Sequence, residues 1–174
     1  GFDHLLFVAA LMLVVRNWRM LLKTVTAFTL AHSITLALAT LGLIRLPSGP
    51  VETMIALSIL LVAVEAVHLR RGQSSLATEW PWLVAFAFGL LHGFGFAGAL
   101  AELGLPKGDI PLALLFFNIG VEVGQLLFIA AILAIMALLR HLITIPRQAP
   151  LAAAYAIGIV ASFWCLQRLD AMFF

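Results

Sequence analysis

The stretch GLLHGFGFAGALAELG, residues 89–104, decides how the rest of the chain is read. It sets a titratable side chain, His92, in a run that is otherwise apolar up to Glu102, with Gly89, Gly93, Gly95 and Gly98 around it. A charged residue at mid-bilayer costs roughly 2.5–3.5 kcal/mol on insertion scales, and such residues face a bundle interior or a water-filled path. The Gly-x-x-x-Gly spacing of Gly89 and Gly93 lets a second helix back approach the imidazole closely. The stretch therefore reads as a membrane helix with one polar group turned inwards.

Composition extends that reading to the whole chain. Of 174 residues, 64% are hydrophobic and 10% charged, more apolar surface than a soluble domain of this length needs. Runs longer than about 18 apolar residues suggest spanning helices. Only helices or a closed barrel satisfy the backbone in lipid, and runs this uninterrupted are helical. The expected fold class is all-α, a polytopic transmembrane helical bundle forming one domain over residues 1–174. The net charge of +2 is small and the basic residues sit at helix ends, which argues for topology rather than a nucleic-acid partner. A single cysteine, Cys165, excludes an internal disulfide and a multi-cysteine metal site. Residue 1 is Gly, so an upstream region is expected to precede it.

Six spans are expected, at about residues 1–15, 20–46, 51–69, 81–103, 110–139 and 151–169. Pro47, Ser48, Gly49 and Pro50 mark one turn and residues 106–111 another, while 72–79 reads as a polar loop. Pro81 suits the first turn of the fourth span. The loops after spans one, three and five carry Arg16, Arg19, Lys23, Arg70, Arg71, Arg140 and Arg147, against Arg45, Lys107 and Arg168 on the other side. The positive-inside rule places the richer side in the cytoplasm and both termini outside, which in a bacterium is the periplasm. Trp18, Trp80, Trp82 and Trp164 fit an interfacial belt.

An internal repeat is also visible. ALATLGL (37–43) matches ALAELGL (99–105), each preceded by a histidine, and AVEAV (63–67) parallels GVEVG (120–124). Spans two–three and four–five thus form hairpins that run the same way, a parallel repeat of a kind known among transporters. Gly120 and Gly124 repeat the close-packing spacing found around His92.

Depth follows from the helical rise of about 1.5 Å per residue. His32 lies about 14 Å from Lys23, His92 about 17 Å from Pro81, His4 about 18 Å from Arg16 and Glu122 about 18 Å from Ile110. Three imidazoles and a carboxylate thus share roughly one layer. A lone membrane histidine often serves only to bond two helices, but several at one depth point to a cation. Imidazole and carboxylate without thiolate suit Ni, Co, Zn or Fe as divalent ions. Asp3, beside His4, can act as ligand or as the carboxylate that orients the imidazole. Asn118, Thr29, Ser33, Gln125 and Glu65 are candidate supporting or relay groups. His68 and His141 sit in basic interfacial stretches and read as solvated.

GFDHLLF (1–7), TAFTLAHSITLALATLG (26–42), LLHGFGFAGALAELGLP (90–106) and FNIGVEVGQ (117–125) together resemble the HupE/UreJ family of bacterial membrane proteins. The resemblance implies a hydrogenase- or urease-accessory permease for nickel or cobalt. It further implies that Asp3, His4, His32, His92 and Glu122 are the metal-path residues.

The leading expectation is a permease rather than an enzyme, carrying a divalent transition metal, Ni, Co or Zn, through the His/carboxylate site. Its partners are the metal substrate and the lipid bilayer, with room for a homo-oligomer. Ions would enter from the periplasm, shed water at the imidazole layer and leave towards the basic side, with Glu65 as an exit relay. Imidazoles bind metal only when neutral, so uptake should weaken as pH falls through the histidine range. The alternative is an intramembrane zinc-dependent hydrolase built from the same cluster, with Ser33 assisting a metal-bound water. A purely structural bundle, its histidines only joining helices, is the third reading.

Overall fold

The computed structural model describes the backbone of residues 2–102 and 108–173 and the side chains of residues 2–96 and 108–173. The surroundings of Gly98, the repeat segment 99–105 and Lys107 lie outside the described residues. Among those described there are seven helices and no strand: α1 (Phe2–Val14), α2 (Trp18–Thr40), α3 (Ser48–Arg70), α4 (Leu76–Glu79), α5 (Pro81–Glu102), α6 (Ile110–Leu142) and α7 (Ala149–Phe173).

Four of these, α2, α3, α6 and α7, are long and apolar enough to cross a membrane. α1 and the Pro81–Phe96 part of α5 are shorter apolar helices. Thirteen residues of α1 reach about 20 Å, against a hydrocarbon core about 30 Å thick. The first span, expected at about residues 1–15 and already short in the sequence, is thus shorter here than that core is thick. The polar loop expected at 72–79 also contains α4, where Thr78 Oγ1 accepts the Ser75 amide at 2.9 Å and closes one turn.

Helix ends follow local chemistry. Asn17 caps α2 by accepting the Arg19 amide at 2.9 Å. α2 and α3 both end in a glycine of positive φ, Gly42 at 73° and Gly72 at 79°. The next amide in each, Leu43 or Gln73, returns to the carbonyl five residues back, at 3.0 and 3.1 Å. A side chain at either glycine would strain that left-handed turn.

α2 and α5 form the centre of the bundle. Gly89 lies on Phe28 and Ala31, and Gly93 lies on His32, Thr35 and Leu36. Both contacts step in the same direction, so the two helices are parallel. A methyl on Gly93 would strike the His32 carbonyl and the Thr35 hydroxyl, which is why only glycine permits this approach. α3 runs antiparallel to α5, with Gly95 against Ile55 and Val51. α6 packs on α2, with Thr26, Thr29 and His32 facing Glu122, Gln125 and Asn118. Each hairpin's second helix therefore packs on the first helix of the other hairpin, as a parallel repeat requires.

α1 fits against α3 and α6, and α7 packs antiparallel on α3. Phe7, Leu11, Phe28, Ile59 and Val62 fill the main core, and Val8, Val25 and Ile129 fill a smaller one between α1, α2 and α6. Leu112, Leu115, Phe116, Ile119, Val123 and Leu127 leave one side of α6 apolar and exposed. That surface suits lipid.

The two ends of the bundle differ. At the basic end Lys23 stacks over Trp82 at 4.3 Å and Arg71 donates to the Tyr155 hydroxyl at 3.2 Å. At the other, Arg168 of α7 donates to Asp3 Oδ1 and to the Glu52 carbonyl, both at 2.8 Å. This clamp ties α1, α3 and α7 together.

Candidate metal-ion site

Three imidazoles meet inside the bundle, each delivered by a different helix. His4 comes from the first turn of α1, His32 from the middle of α2 and His92 from the middle of α5. The His4 ring lies 5.2 Å from that of His32 and 5.0 Å from that of His92, edge to face in both cases. His32 and His92 are fully buried and His4 is 6% exposed. Phenylalanines one turn away on the same helices wall the group. Phe28 and Phe96 stand 5.5 and 5.2 Å from His4, and Phe7 lies 5.2 Å from His92.

Polar partners are few. His32 Nδ1 faces Asn118 Oδ1 at 3.0 Å, and His92 Nε2 faces the Ser58 hydroxyl at 2.9 Å. Both nitrogens of His4, Nε2 of His32 and Nδ1 of His92 are buried without a partner. Four orphaned imidazole nitrogens in one apolar pocket are costly, because a buried polar group normally finds a hydrogen bond. Among the described residues, no three His, Cys, Asp or Glu side chains are disposed as a ready-made metal site. The imidazoles are gathered edge to face, short of a finished chelate.

The carboxylates stand outside this group. Asp3 is drawn to Arg168, 2.8 Å away, although its neighbour in sequence is His4. Adjacent helical residues point about 100° apart, so one turns to the clamp and the other to the cluster. Glu122 accepts the Thr26 hydroxyl at 2.7 Å. Thr26 lies six residues before His32, which sets Glu122 about 9 Å towards the basic end. The common depth expected for Glu122 and the histidines is therefore not what the structure brings together. Glu65 lies 3.9 Å from His68, one turn on.

Of the supporting residues, Asn118 touches His32 directly. Thr29 shares its one hydroxyl proton between the Val25 carbonyl and Gln125 Oε1, at 3.2 and 3.3 Å, and Ser33 donates to the Thr29 carbonyl at 2.7 Å. Thr29 and Ser33 thus bond the helix and α6 rather than the imidazole.

A cavity of about 560 Å³ lies between the start of α1, α5 and the middle of α6. It reaches His4 and Gln125, whose amide nitrogen is buried without a partner. Gly120 and Gly124 line it, and a methyl at either would meet open space. The close packing expected at these two glycines is thus reversed. They leave room instead of closing it.

Ser58 is the residue the sequence reading missed. A serine in an apolar helix looks like a back-bonded hydroxyl, which it partly is. The signal lay in its spacing. Ser58 and Asn118 are sixty residues apart, as are His32 and His92. Each histidine is met by a polar side chain from the second helix of the opposite hairpin.

The family described as HupE / UreJ protein matches residues 1–168. The chain belongs to the HupE/UreJ family. No curated protein and no solved structure matches it. HupE/UreJ membership and the four long apolar helices make it a multi-pass membrane protein. Membership also suggests an accessory role in nickel or cobalt handling.

Proposed function

We propose that this protein is a permease of the bacterial inner membrane for a divalent transition metal ion, nickel or cobalt before zinc. Six crossings, α1–α3 and α5–α7, with both termini periplasmic, follow from the basic end taken as cytoplasmic. The observation that carries the reading is the group of unpartnered nitrogens on His4, His32 and His92. Neutral imidazole donors suit Ni²⁺, Co²⁺ and Zn²⁺ far better than Mg²⁺ or Ca²⁺, which prefer oxygen.

The cation is the substrate. It approaches along the cavity beside α6 to His4, exchanges water for imidazole nitrogen, and moves on past Glu122 towards the basic end. Glu65 is the relay nearest the cytoplasm. Asp3 belongs to the outer approach, where Arg168 holds it and thereby sets the start of α1. The charge of the ion is not neutralised at the imidazole layer, which favours passage over storage.

Transport is preferred to the zinc hydrolase because the carboxylates near the cluster are engaged elsewhere. A hydrolase needs a general base beside its metal-bound water, yet Asp3 and Glu122 face Arg168 and Thr26. The test is uptake of Co²⁺ or Ni²⁺ into liposomes containing the purified protein. Uptake above empty liposomes, lost in His32→Ala and His92→Ala, supports the permease. Metal binding without uptake would reject it, and absence of any bound metal would leave the histidines as structural groups.

A further inference from the structure

We infer that Ser58 and Asn118 are positioning residues that set the tautomers of His92 and His32, and so decide which ring nitrogen of each is free to bind a cation. The inference deepens the metal-ion reading above and rests on it for its consequence, though not for its chemistry.

Asn118 settles His32. Its amide Nδ2 donates to the Leu114 carbonyl at 2.8 Å, so Oδ1 is the atom turned to His32 Nδ1 at 3.0 Å. An amide oxygen only accepts. The proton must therefore sit on His32 Nδ1, leaving Nε2 as a bare lone pair. Flipping the amide would set its oxygen against the Leu114 oxygen with no proton between them.

Ser58 settles His92 by the same logic. Its Oγ lies 2.7 Å from the Ile55 carbonyl oxygen. Two oxygens that close need a proton between them, and only the serine has one. The hydroxyl thus donates to Ile55 and can only accept from His92 Nε2, at 2.9 Å. The proton sits on His92 Nε2, leaving Nδ1 bare.

The two tautomers are opposite, yet the outcome is the same. The nitrogens left without a proton, His32 Nε2 and His92 Nδ1, are the buried atoms that have no partner. The wrong tautomer would present an N–H to a cation and could not bind it. The first helix of each hairpin supplies an imidazole and the second helix of the other hairpin supplies its anchor. Fixing the tautomer and ring orientation of a ligating histidine through its other nitrogen is worth about 10–100-fold in metal affinity.

The test uses the full chain in detergent, labelled with ¹⁵N at histidine, without metal. Ring ¹⁵N shifts report which nitrogen of each imidazole is protonated. The expected result is Nδ1–H at His32 and Nε2–H at His92. Ser58→Ala should return His92 to a mixture of tautomers while leaving His32 unchanged, and Asn118→Leu should do the converse. Asn118→Asp, with its carboxyl proton donated to the Leu114 carbonyl in place of the amide N–H, keeps an acceptor towards His32 and should keep the His32 tautomer. Titration with Co²⁺ should then show about 10–100-fold weaker binding in Ser58→Ala and Asn118→Leu, and none of this loss in Asn118→Asp. Reversed tautomers in the unsubstituted protein overturn the inference. So does a Ser58→Ala protein with unchanged His92 shifts and unchanged Co²⁺ affinity. Tautomers as stated in a protein that binds no Co²⁺ would uphold the positioning role and overturn the transport reading alone.

Discussion

Gly93→Ala separates close packing from mere glycine spacing, because the same change at Gly120 should act in the opposite direction. Both glycines lie inside helices, where Ala is intrinsically better by about 0.8–1.0 kcal/mol. At Gly93 the added methyl meets the His32 carbonyl, the Thr35 hydroxyl and, at 3.0 Å, the Leu36 amide nitrogen. Backbone atoms cannot swing aside, so α2 and α5 must part. Overpacking typically costs about 1–3 kcal/mol, and contact with backbone places Gly93→Ala at the upper end. The net loss is about 2 kcal/mol after the propensity gain. For a chain of this size that lowers Tm by about 4–8 °C. Gly120→Ala meets open space and should raise Tm by about 2–4 °C. Parting α2 from α5 also separates His32 from His92, so Gly93→Ala should bind Co²⁺ more weakly while Gly120→Ala does not. The assay is thermal unfolding of the purified protein in one detergent, followed by circular dichroism, with Co²⁺ titration at 20 °C as the second readout (a temperature of about 20 °C lies near maximal stability). Equal Tm changes for the two variants, of either sign, would refute the packing argument.

Other outcomes follow from the same geometry. His4→Leu removes two buried nitrogens that have no partner, so it should stabilise the fold by about 1–3 kcal/mol while abolishing Co²⁺ uptake; a destabilised protein that still transports would contradict this. Gly124→Leu should fill the cavity beside His4 and slow liposome uptake without lowering Tm, and undiminished uptake would remove that cavity from the route. Asp3→Asn should loosen the Arg168 clamp, costing about 1 kcal/mol in thermal unfolding, and leave equilibrium Co²⁺ affinity at the imidazoles nearly unchanged.

Much of the architecture was legible in the chain. Long apolar runs, proline–glycine turns and the charges at their ends mark α3, α6 and α7 to within four residues, while α2 ends six residues before the expected 46. The glycines at 89 and 93 correctly announced a close approach, because a bare backbone beside a histidine in lipid has few other uses. The identical spacing at Gly120 and Gly124 misled, since spacing states only that backbone is bare and not whether another helix covers it. Depth counting placed His4, His32 and His92 together. It failed for Glu122 because a count along one helix ignores which partner draws the side chain, here Thr26.

The residues alone determined a helical membrane protein of the HupE/UreJ type, with titratable groups buried at a common level. Periodicity and the cost of polar atoms in lipid are properties of a single helix, and they can be read one helix at a time. Tertiary structure decided which imidazoles share a pocket, that Asp3 turns to Arg168, and that Ser58 and Asn118 back the two histidines from opposite hairpins. Those facts depend on helix rotation and on crossings between segments far apart in the chain, and no local pattern encodes them.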